Sequence, residues 1–255
     1  MIAIISDIHA NFDAMQAVLA DIDSKGIEEI YNLGDVIDYG PQPQECLDVA
    51  MERFKVNILG NHEEATLSIP IGFNPIARKT VEWTRNMLRP GPFSSGKTRL
   101  RWRFIQQLPR SYEMDDVLLV HGSPRDPTME YIMKSDTDDL LGEVPEKIVE
   151  NLSLIRRFAF CGHSHMPGVV NDEGVFYTPD EIDMAFPTDA SRKLLVNVGS
   201  VGQPRDRNSL SCYVTLDDKE VRYHRVEYDV QAVVDKVHAT PGLEDFCGDR
   251  LLEGR

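Results

Sequence analysis

The chain opens with MIAIISDIHANFDAMQAVLADIDSKGIEEIYNLGD (residues 1–35), and this stretch decides the fold class. Ile2–Ile5 and Ile30–Leu33 are short apolar runs, which are typical of buried strands. Between them, apolar residues recur at helical spacing over Phe12–Ile22, with Asn11 placed to cap the helix. A strand, a helix and a second strand in this order predict a parallel α/β sheet.

The alternation of strands and helices continues beyond this stretch. Pro41–Phe54 is predicted to be a helix, and the apolar run Val56–Leu59 is predicted to be the third strand. Later strands are predicted at Val117–Val120, Phe158–Phe160, Gly168–Asn171, Val175–Tyr177, Leu194–Val198, Leu210–Leu216 and Val221–Tyr228, and later helices at Pro75–Leu88, Thr98–Leu108 and Asp229–Ala239. The simplest organisation is a single domain over residues 1–255, with a helical insertion at 63–110 and a C-terminal helical segment at 229–255.

Composition and charge exclude several classes of protein. Hydrophobic residues make up 42% of the 255 residues, which is enough for a sizeable core. No apolar run approaches the ~20 residues that span a bilayer. Four widely spaced cysteines without a CxxC pair are typical of reduced thiols, so we expect a cytoplasmic protein that uses no membrane. The net charge of −15 makes extended nucleic acid an unlikely partner, and the oligomeric state stays open.

The charge is unevenly distributed along the chain. Residues 63–110 contain nine Lys or Arg and three Glu, whereas the whole chain is strongly acidic. One interpretation of this basic segment is a solvated helix surface. The other is a positive rim that attracts an anionic substrate or an acidic patch of another subunit.

Polar residues follow five of the predicted strands at the point where each strand ends. They are Asp7-Ile8-His9, then Gly34-Asp35 with Asp38, then Gly60-Asn61-His62-Glu63, then His121-Gly122, and finally Gly162-His163-Ser164-His165. Five of the seven histidines of the chain fall in these loops. Because the carboxyl ends of strands in an open α/β sheet meet at one edge, we expect these side chains to share one cleft.

The chemistry of these side chains restricts what the cleft binds. Imidazoles, carboxylates and a carboxamide without a thiolate suit Mn, Fe, Zn, Ni or Co. There are too many ligands for one ion, and two divalent ions roughly 3.5–4 Å apart hold a hydroxide and clamp a phosphoryl oxygen. The sequence therefore predicts two divalent transition metals and a small phosphate ester as substrate.

The five polar blocks resemble, in order and content, the signature blocks of the calcineurin-like metallophosphoesterases. A further block, residues 197–205 (NVGSVGQPR), resembles one found in the small bacterial and archaeal phosphodiesterase branch of that family. The resemblance covers about residues 1–210. It implies an α/β fold with two sheets packed as a β-sandwich and flanked by helices, in four layers (α-β-β-α).

The resemblance also implies a role for each residue of the site. One metal would be held by Asp7, His9, Asp35 and His165, and the second by Asp35, Asn61, His121 and His163, with Asp35 as the bridge. Manganese is the favoured metal. His62 resembles the histidine that steadies the transition state and protonates the leaving oxygen, and Asp38 the carboxylate that orients it.

The chain departs from the protein-phosphatase branch of the family at one position that contacts phosphate. Tyr39 stands where that branch has an arginine, so phosphate recognition is assigned to Arg125 or Arg205. Tyr39 itself and Asn11 are further candidates for a substrate contact, although helix capping explains Asn11 equally well. Glu63, in contrast, resembles the protein-phosphatase branch.

The predicted function is metal-dependent hydrolysis of a phosphodiester or phosphomonoester by a hydroxide that bridges two metals, without a covalent phospho-enzyme. The first alternative is a serine/threonine protein phosphatase, which Asp38 and Glu63 favour. The second is a nuclease, supported only by the basic segment. The third belongs to another class: a catalytically silent scaffold that uses the same fold to bind partners.

Overall fold

The computed structural model describes residues 1–137, 143–189 and 191–255. The strands are β1 Ile2–Ile5, β2 Ile30–Asn32, β3 Val56–Asn57, β4 Ser111–Met114, β5 Val117–Val120, β6 Phe158–Cys161, β7 Gly168–Asn171, β8 Phe176–Tyr177, β9 Ala185–Pro187, β10 Leu194–Asn197, β11 Ser211–Leu216 and β12 Glu220–Val226. The α-helices are α1 Phe12–Ser24, α2 Pro43–Arg53, α3 Asn61–Leu67, α4 Pro75–Leu88, α5 Gly96–Gln106, α6 Glu146–Ser153, α7 Val230–His238 and α8 Phe246–Asp249.

The described strands form two six-stranded mixed sheets. The first sheet has the order β3-β2-β1-β11-β12-β9, and the second has the order β4-β5-β6-β10-β7-β8. The strands β1, β2 and β3 run parallel, as their sequence pattern predicts, and β11 pairs antiparallel with β1. In the second sheet, β5, β6 and β10 are parallel to one another.

Hydrophobic packing arranges the two sheets and the helices in layers. On β1, Ile4 belongs to the cluster that fills the space between the sheets, whereas Ala3 and Ile5 pack with α1 and α2 on the outer face. A third cluster joins α6 to the outer face of the second sheet. Because both faces of these strands are covered, their sequences are continuously apolar. The structure confirms the predicted sandwich with flanking helices.

Most predicted elements are confirmed to within a few residues. Pro75–Leu88 is a helix with the predicted bounds, and the Asn11 side chain caps α1 by accepting a hydrogen bond from the Ala14 N–H at 3.1 Å. The predictions missed β4, β9 and α6, and they gave no separate bounds for α3 and α8, which fall largely within the segments 63–110 and 229–255 predicted to be helical. No helix in the described part of the chain is long and apolar enough to cross a membrane.

The basic segment at residues 63–110 contributes α4 and α5. Its charged side chains form salt bridges and hydrogen bonds that anchor it to the rest of the fold. Lys97 and Arg101 both pair with Asp48 on α2, and Lys79 pairs with Glu244. Arg85 donates to the carbonyl oxygens at the end of α3. Part of the positive charge therefore anchors the segment to the rest of the fold instead of forming a free rim.

We predict that replacing Arg101 by Met lowers the free energy of unfolding by about 2 kcal/mol, because charged hydrogen bonds are lost from a nearly buried group. Arg101 is 8% exposed and donates to both carboxylate oxygens of Asp48 at 2.8 and 2.6 Å, and to Gln44 Oε1 at 2.9 Å. Urea unfolding at pH 7 measures the change. The Arg103→Met protein, altered at an exposed position of the same helix, is the control.

The Arg101–Asp48 pair also predicts how the difference in the free energy of unfolding between the two proteins depends on pH. The hydrogen bonds from Arg101 lower the pKa of Asp48, so the stabilisation is present above the carboxyl's unfolded pKa and is lost as the pH falls below about 4. The difference in the free energy of unfolding between the wild-type protein and the Arg101→Met protein should therefore become smaller in acid. A difference in the free energy of unfolding that stays constant down to acid pH would contradict the stabilising role of the Arg101–Asp48 pair.

Candidate metal centre

The carboxyl ends of strands from both sheets meet at one edge of the sandwich. The loops after β1, β2 and β3 of the first sheet face those after β5 and β6 of the second. This edge brings together all seven predicted ligands, each at most 7% exposed: Asp7, His9, Asp35, Asn61, His121, His163 and His165.

Four histidines at this edge are held by main-chain carbonyl oxygens. The contacts are His9 Nδ1 to Ile37 O at 3.2 Å, His121 Nδ1 to Leu33 O at 3.0 Å, His163 Nε2 to Met129 O at 3.1 Å, and His165 Nδ1 to Gln203 O at 2.5 Å. A carbonyl oxygen only accepts, so each of these ring nitrogens carries a proton. The other nitrogen of each ring therefore faces the cluster, where in its neutral form it offers a lone pair, as in histidines that bind metals.

The first group of ligand atoms is formed by Asp7, His9 and His165. His9 Nε2 lies 3.2 Å from His165 Nε2, and Asp7 Oδ1 lies 3.1 Å from the same nitrogen. Asp7 Oδ1 is buried and has no hydrogen-bond partner in the described chain. An orphaned carboxylate oxygen beside two imidazole lone pairs fits a cation, since nothing else there satisfies it.

The second group is formed by Asp35, His121 and His163, with Asn61 beside them. His121 Nε2 is 3.2 Å from His163 Nδ1, 3.0 Å from Asn61 Oδ1 and 3.3 Å from Asp35 Oδ2. The same Asp35 oxygen is 3.7 Å from His9 Nε2 of the first group. Asp35 therefore lies between the two groups.

Electrostatics keep most of these imidazoles neutral. Burial and the neighbouring His121 lower the pKa of His163 to about 3, and burial also holds the pKa values of His9 and His165 below the ordinary range. His121 is the exception. Burial opposes its protonation, but the carboxylate of Asp35 raises its pKa to about 9. A cation at the second group would have to displace that proton, so binding there should strengthen as the pH rises.

The main chain at the site adopts a conformation that most residues avoid. Five of the seven predicted ligands have positive φ angles: Asp7 54°, His9 48°, Asp35 53°, His163 63° and His165 59°. Left-handed backbone outside glycine is uncommon and costs energy. Such a concentration at one edge indicates that the fold maintains strain in order to orient these side chains.

Two glycines allow the main chain to approach the carboxylates. A Cβ atom at Gly60 would lie 2.0 Å from Asp35 Oδ1, and one at Gly162 would lie 2.4 Å from Asp7 Oδ2. Neither Gly60 nor Gly162 has room for a side chain. The close approach also lets main-chain N–H groups bond to these carboxylates, from His62 to Asp35 at 2.9 Å and from His163 to Asp7 at 3.0 Å.

Glu63 organises the loop that carries Asp35. Its carboxylate is fully buried and accepts hydrogen bonds from four main-chain N–H groups, those of Asp35, Val36, Ile37 and Gly60, at 2.8 to 3.2 Å. Burial and the neighbouring Asp35 carboxylate raise the pKa of Glu63 to about 7, and the main-chain N–H donors oppose that rise by favouring the ionised form.

We predict that Glu63→Gln weakens metal binding roughly 10–100-fold, because the amide nitrogen of Gln would face an N–H donor and loosen the Asp35 loop. Competition with a fluorescent chelator measures the affinity. The Glu64→Gln protein, altered at the adjacent, more exposed position, is the control. Unchanged affinity in Glu63→Gln would show that the Asp35 loop holds its shape without this carboxylate.

His62 lies beside the ligand atoms, and Asp38 fixes the orientation of its ring on the side away from them. Its Nδ1 is 2.5 Å from Asp38 Oδ2, and the other oxygen of Asp38 accepts from the Thr84 hydroxyl on α4 at 3.2 Å. Burial alone would lower the pKa of His62, but the carboxylates of Asp35 and Asp38 raise it. His62 Nε2 faces the site, 3.9 Å from Asp35 Oδ2.

A cavity of about 160 Å³ opens over these residues. Its lining includes His62 and His163, together with aromatic side chains that pack on them. The ring of Tyr131 lies parallel to that of His163 with centroids 3.9 Å apart, and Phe73 contacts His62 edge-on at 4.9 Å. Neither aromatic belongs to a recognisable motif, so the sequence alone does not predict their place in the cavity wall.

The four predicted substrate contacts occupy different places. Tyr39 lines the cavity, and the main-chain N–H of Arg205 lies 3.4 Å from the His165 carbonyl oxygen. Arg125 is not brought to the cavity; its guanidinium pairs with Glu130 and Glu150 at the surface. Asn11 does not face it either, since its amide caps α1 and donates to Gly202 O at 2.9 Å. The side chains of Arg125 and Asn11 are thus bonded to other groups of the chain in this structure.

Comparison with known proteins identifies relatives over the whole chain. The family model of the calcineurin-like phosphoesterase superfamily domain matches residues 1–220. An uncharacterized protein of Methanocaldococcus jannaschii is 31% identical, covering 100% of this chain and 98% of its own. A metallophosphoesterase from Sphaerobacter thermophilus has the same fold with a TM-score of 0.81, 30% identity, and coverage of 100% and 98%. A hypothetical protein from Pyrococcus horikoshii OT3 shares the fold with a TM-score of 0.74 at 18% identity and the same coverage.

Proposed function

The chain belongs to the calcineurin-like phosphoesterase superfamily, and from that membership we propose that it is a binuclear metal-dependent hydrolase of small phosphodiesters or phosphomonoesters. One observation carries the proposal. Two groups of ligand atoms, Asp7–His9–His165 and Asp35–His121–His163, lie side by side with Asp35 between them. A single cation would leave one group of converging lone pairs unsatisfied.

The proposed ligands divide between two cations. Asp7, His9, Asp35 and His165 would hold one cation, and Asp35, Asn61, His121 and His163 the other. Two bound divalent ions lower the pKa of water and neutralise the charge of the phosphoryl group that is attacked. Manganese is our first choice, since the ligand set mixes imidazole and oxygen donors without a thiolate.

His62 would act as the general acid of the reaction. Its Nε2 faces the ligand cluster, and its Nδ1 proton is held by Asp38, so the imidazolium is positioned to protonate the leaving oxygen. Asp38 and Thr84 are positioning residues, because they touch His62 and not the substrate. The cavity over His62 would take a phosphate ester of modest size.

A protein phosphatase is the second candidate, and the contact between Asp38 and His62 favours it because that branch carries the same carboxylate. Tyr39 argues against it, since it replaces the phosphate-binding arginine of that branch. Turnover of phosphopeptides compared with that of nucleotide diesters separates the two candidates.

An activity screen tests the proposal. We expect the purified protein, reconstituted with Mn, Ni, Zn or Mg, to hydrolyse bis-p-nitrophenyl phosphate or p-nitrophenyl phosphate best with a transition metal, and elemental analysis to find two ions per chain. Metal-loaded protein that hydrolyses no phosphomonoester, cyclic or linear diester, dinucleoside polyphosphate or phosphopeptide would support a scaffold instead. One ion per chain with full activity would contradict the binuclear assignment.

A further inference from the structure

The described residues that line the cavity include the aromatic side chains of Tyr39, Phe73 and Tyr131. Two of these rings pack directly on histidines of the site. The Tyr131 ring lies over the His163 ring with an interplanar angle of 6°, and the Phe73 ring meets the His62 ring at an angle of 76°. Aromatic surface therefore borders both the proposed metal ligands and the proposed acid.

Phe73 is held in place at the start of α4. The Asn74 side chain caps this helix by accepting from the Ala77 N–H at 2.9 Å, and Arg78 Nε donates to the Phe73 carbonyl oxygen at 2.9 Å. The Phe73 side chain also packs against the hydrophobic cluster that contains Tyr39. The position of this ring is thus fixed by the chain itself, before any ligand binds.

Tyr131 is held independently, by the loop that follows β5. The preceding residue, Glu130, accepts a hydrogen bond from the Ser123 hydroxyl at 2.6 Å, and the Met129 carbonyl oxygen lies 3.1 Å from His163 Nε2. The same short segment therefore orients the His163 ring through its main chain and covers it with the Tyr131 ring. A ligand that packs on a prearranged ring loses little free energy in ordering it.

The surface that these side chains offer is apolar and open. Tyr131 is 46% exposed and Met129 is 44% exposed, although both line the cavity. Among the described residues, no Lys, Arg, Asp or Glu side chain lines it. Apolar surface left open beside a few polar groups is typical of a site that binds the apolar part of a ligand.

The size of the cavity and the place of His62 indicate which part of the ligand this is. The cavity has a volume of about 160 Å³, and an apolar cavity of about 150 Å³ is large enough to bind benzene. His62 is the proposed acid, so the leaving oxygen would lie next to it. Because Phe73 contacts His62, the group attached to that oxygen would lie against Phe73.

We propose that Phe73 and Tyr131 are specificity-determining residues, which bind a planar aromatic ring of the substrate. The inference rests on the proposed function and names the substrate class of the same site: phosphate esters that carry an aromatic ring, as an aryl group or as a nucleobase. Aromatic rings suit these walls because edge-to-face and offset-stacked pairs gain energy beyond the burial of their surface.

Two pairs of probes that differ only by a ring test the proposal. Phenylphosphonate and methylphosphonate contain no ester to hydrolyse, and calorimetric titration of the Mn-loaded protein measures their affinities. We expect phenylphosphonate to bind roughly tenfold more tightly, and cyclohexylphosphonate, whose ring is not planar, to lie between the two. Adenosine 5′-monophosphate and ribose 5-phosphate, compared as competitors of bis-p-nitrophenyl phosphate hydrolysis, form the second pair.

The Phe73→Leu and Tyr131→Leu proteins should each reduce the preference for phenylphosphonate to roughly threefold, because an apolar side chain remains but the ring is lost. Their affinity for methylphosphonate and their metal content should not change. Tyr131→Phe keeps the ring and should keep the full preference. Phe93→Leu and Tyr112→Leu are matched controls, since Phe93 is fully exposed and Tyr112 lies on β4, both outside the cavity wall.

The two pairs also identify where the ring comes from. A preference in the phosphonate pair alone supports an aryl group next to the phosphoryl group, and a preference in the nucleotide pair alone supports a nucleobase. Equal affinities within both pairs overturn the inference, even when hydrolysis is normal. A preference for phenylphosphonate without any hydrolysis overturns the proposed function and supports the ring site.

The variants decide whether Phe73 and Tyr131 are responsible. A full preference in the folded leucine variants overturns their role. Loss of methylphosphonate binding together with loss of metal from these variants shows that the rings only support the ligands, and also overturns it. Thermal unfolding checks that each variant is folded, and if a leucine variant does not fold, the wild-type preferences decide the matter.

Discussion

The Asp35→Asn protein should lose both metal binding and hydrolysis. One carboxylate oxygen of Asp35 lies 3.3 Å from His121 Nε2 and 3.7 Å from His9 Nε2, so the same group serves both sets of ligand atoms. An amide in its place would remove a negative charge from between the two proposed cation sites. We expect turnover to fall by roughly 10³-fold or more.

The measurement combines Mn-dependent hydrolysis of bis-p-nitrophenyl phosphate with elemental analysis of the reconstituted protein. Asp115→Asn is a matched control: Asp115 also has a positive φ, of 48°, but lies exposed in the turn between β4 and β5. Asparagine tolerates this backbone conformation, so any loss specific to Asp35→Asn comes from its charge. Near-normal hydrolysis by the Asp35→Asn protein would show that Asp35 does not bridge.

Replacing His62 by Ala should lower turnover by roughly 10²–10⁴-fold while the metal content stays unchanged. The reason is that His62 Nε2 faces the site as a proton donor, while its Nδ1 is occupied by Asp38. The Asp38→Asn protein should show a smaller loss, because the imidazole remains but is less well oriented and less basic.

His238→Ala is the control for this change, since His238 pairs with Asp249 at 2.9 Å on the surface and repeats the histidine–carboxylate contact away from the site. Metal content is the decisive second readout. His62 also forms a possible ligand group with His9 and Asp35. Loss of metal from the His62→Ala protein would make His62 a ligand and leave the reaction without the proposed acid.

The residues that form the candidate metal centre are recognisable in the sequence because their signal is local. Each buried strand is a short apolar run. The polar residue that follows it lies at the strand's carboxyl end, and this position does not depend on how the rest of the chain folds. Asp7, Asp35 and His121 could therefore be assigned to one edge before the structure was described. Glycines 60 and 162 belong to the same short patterns.

The sequence pattern predicts a strand or helix less clearly where the element is exposed or lies in a polar stretch. The strand β4, Ser111–Met114, was missed because its residues are mostly exposed, and α6 was missed because it lies within an acidic stretch that resembles solvated surface. The substrate candidates Arg125 and Asn11 were chosen by their nearness in sequence to the ligand blocks. Their side chains turn away to Glu130 and to the end of α1, which nearness in sequence does not reveal.

By itself the sequence determined the identity and order of the candidate ligands and the α/β character of the fold, because apolar periodicity and strand ends are properties of consecutive residues. Only the tertiary structure decided that Glu63 holds the Asp35 loop, that Tyr131 covers His163, and that the C-terminal segment is bonded to the loop at Arg207. These contacts join segments far apart in the chain. They depend on how two sheets and a C-terminal segment pack, which no single stretch of residues encodes.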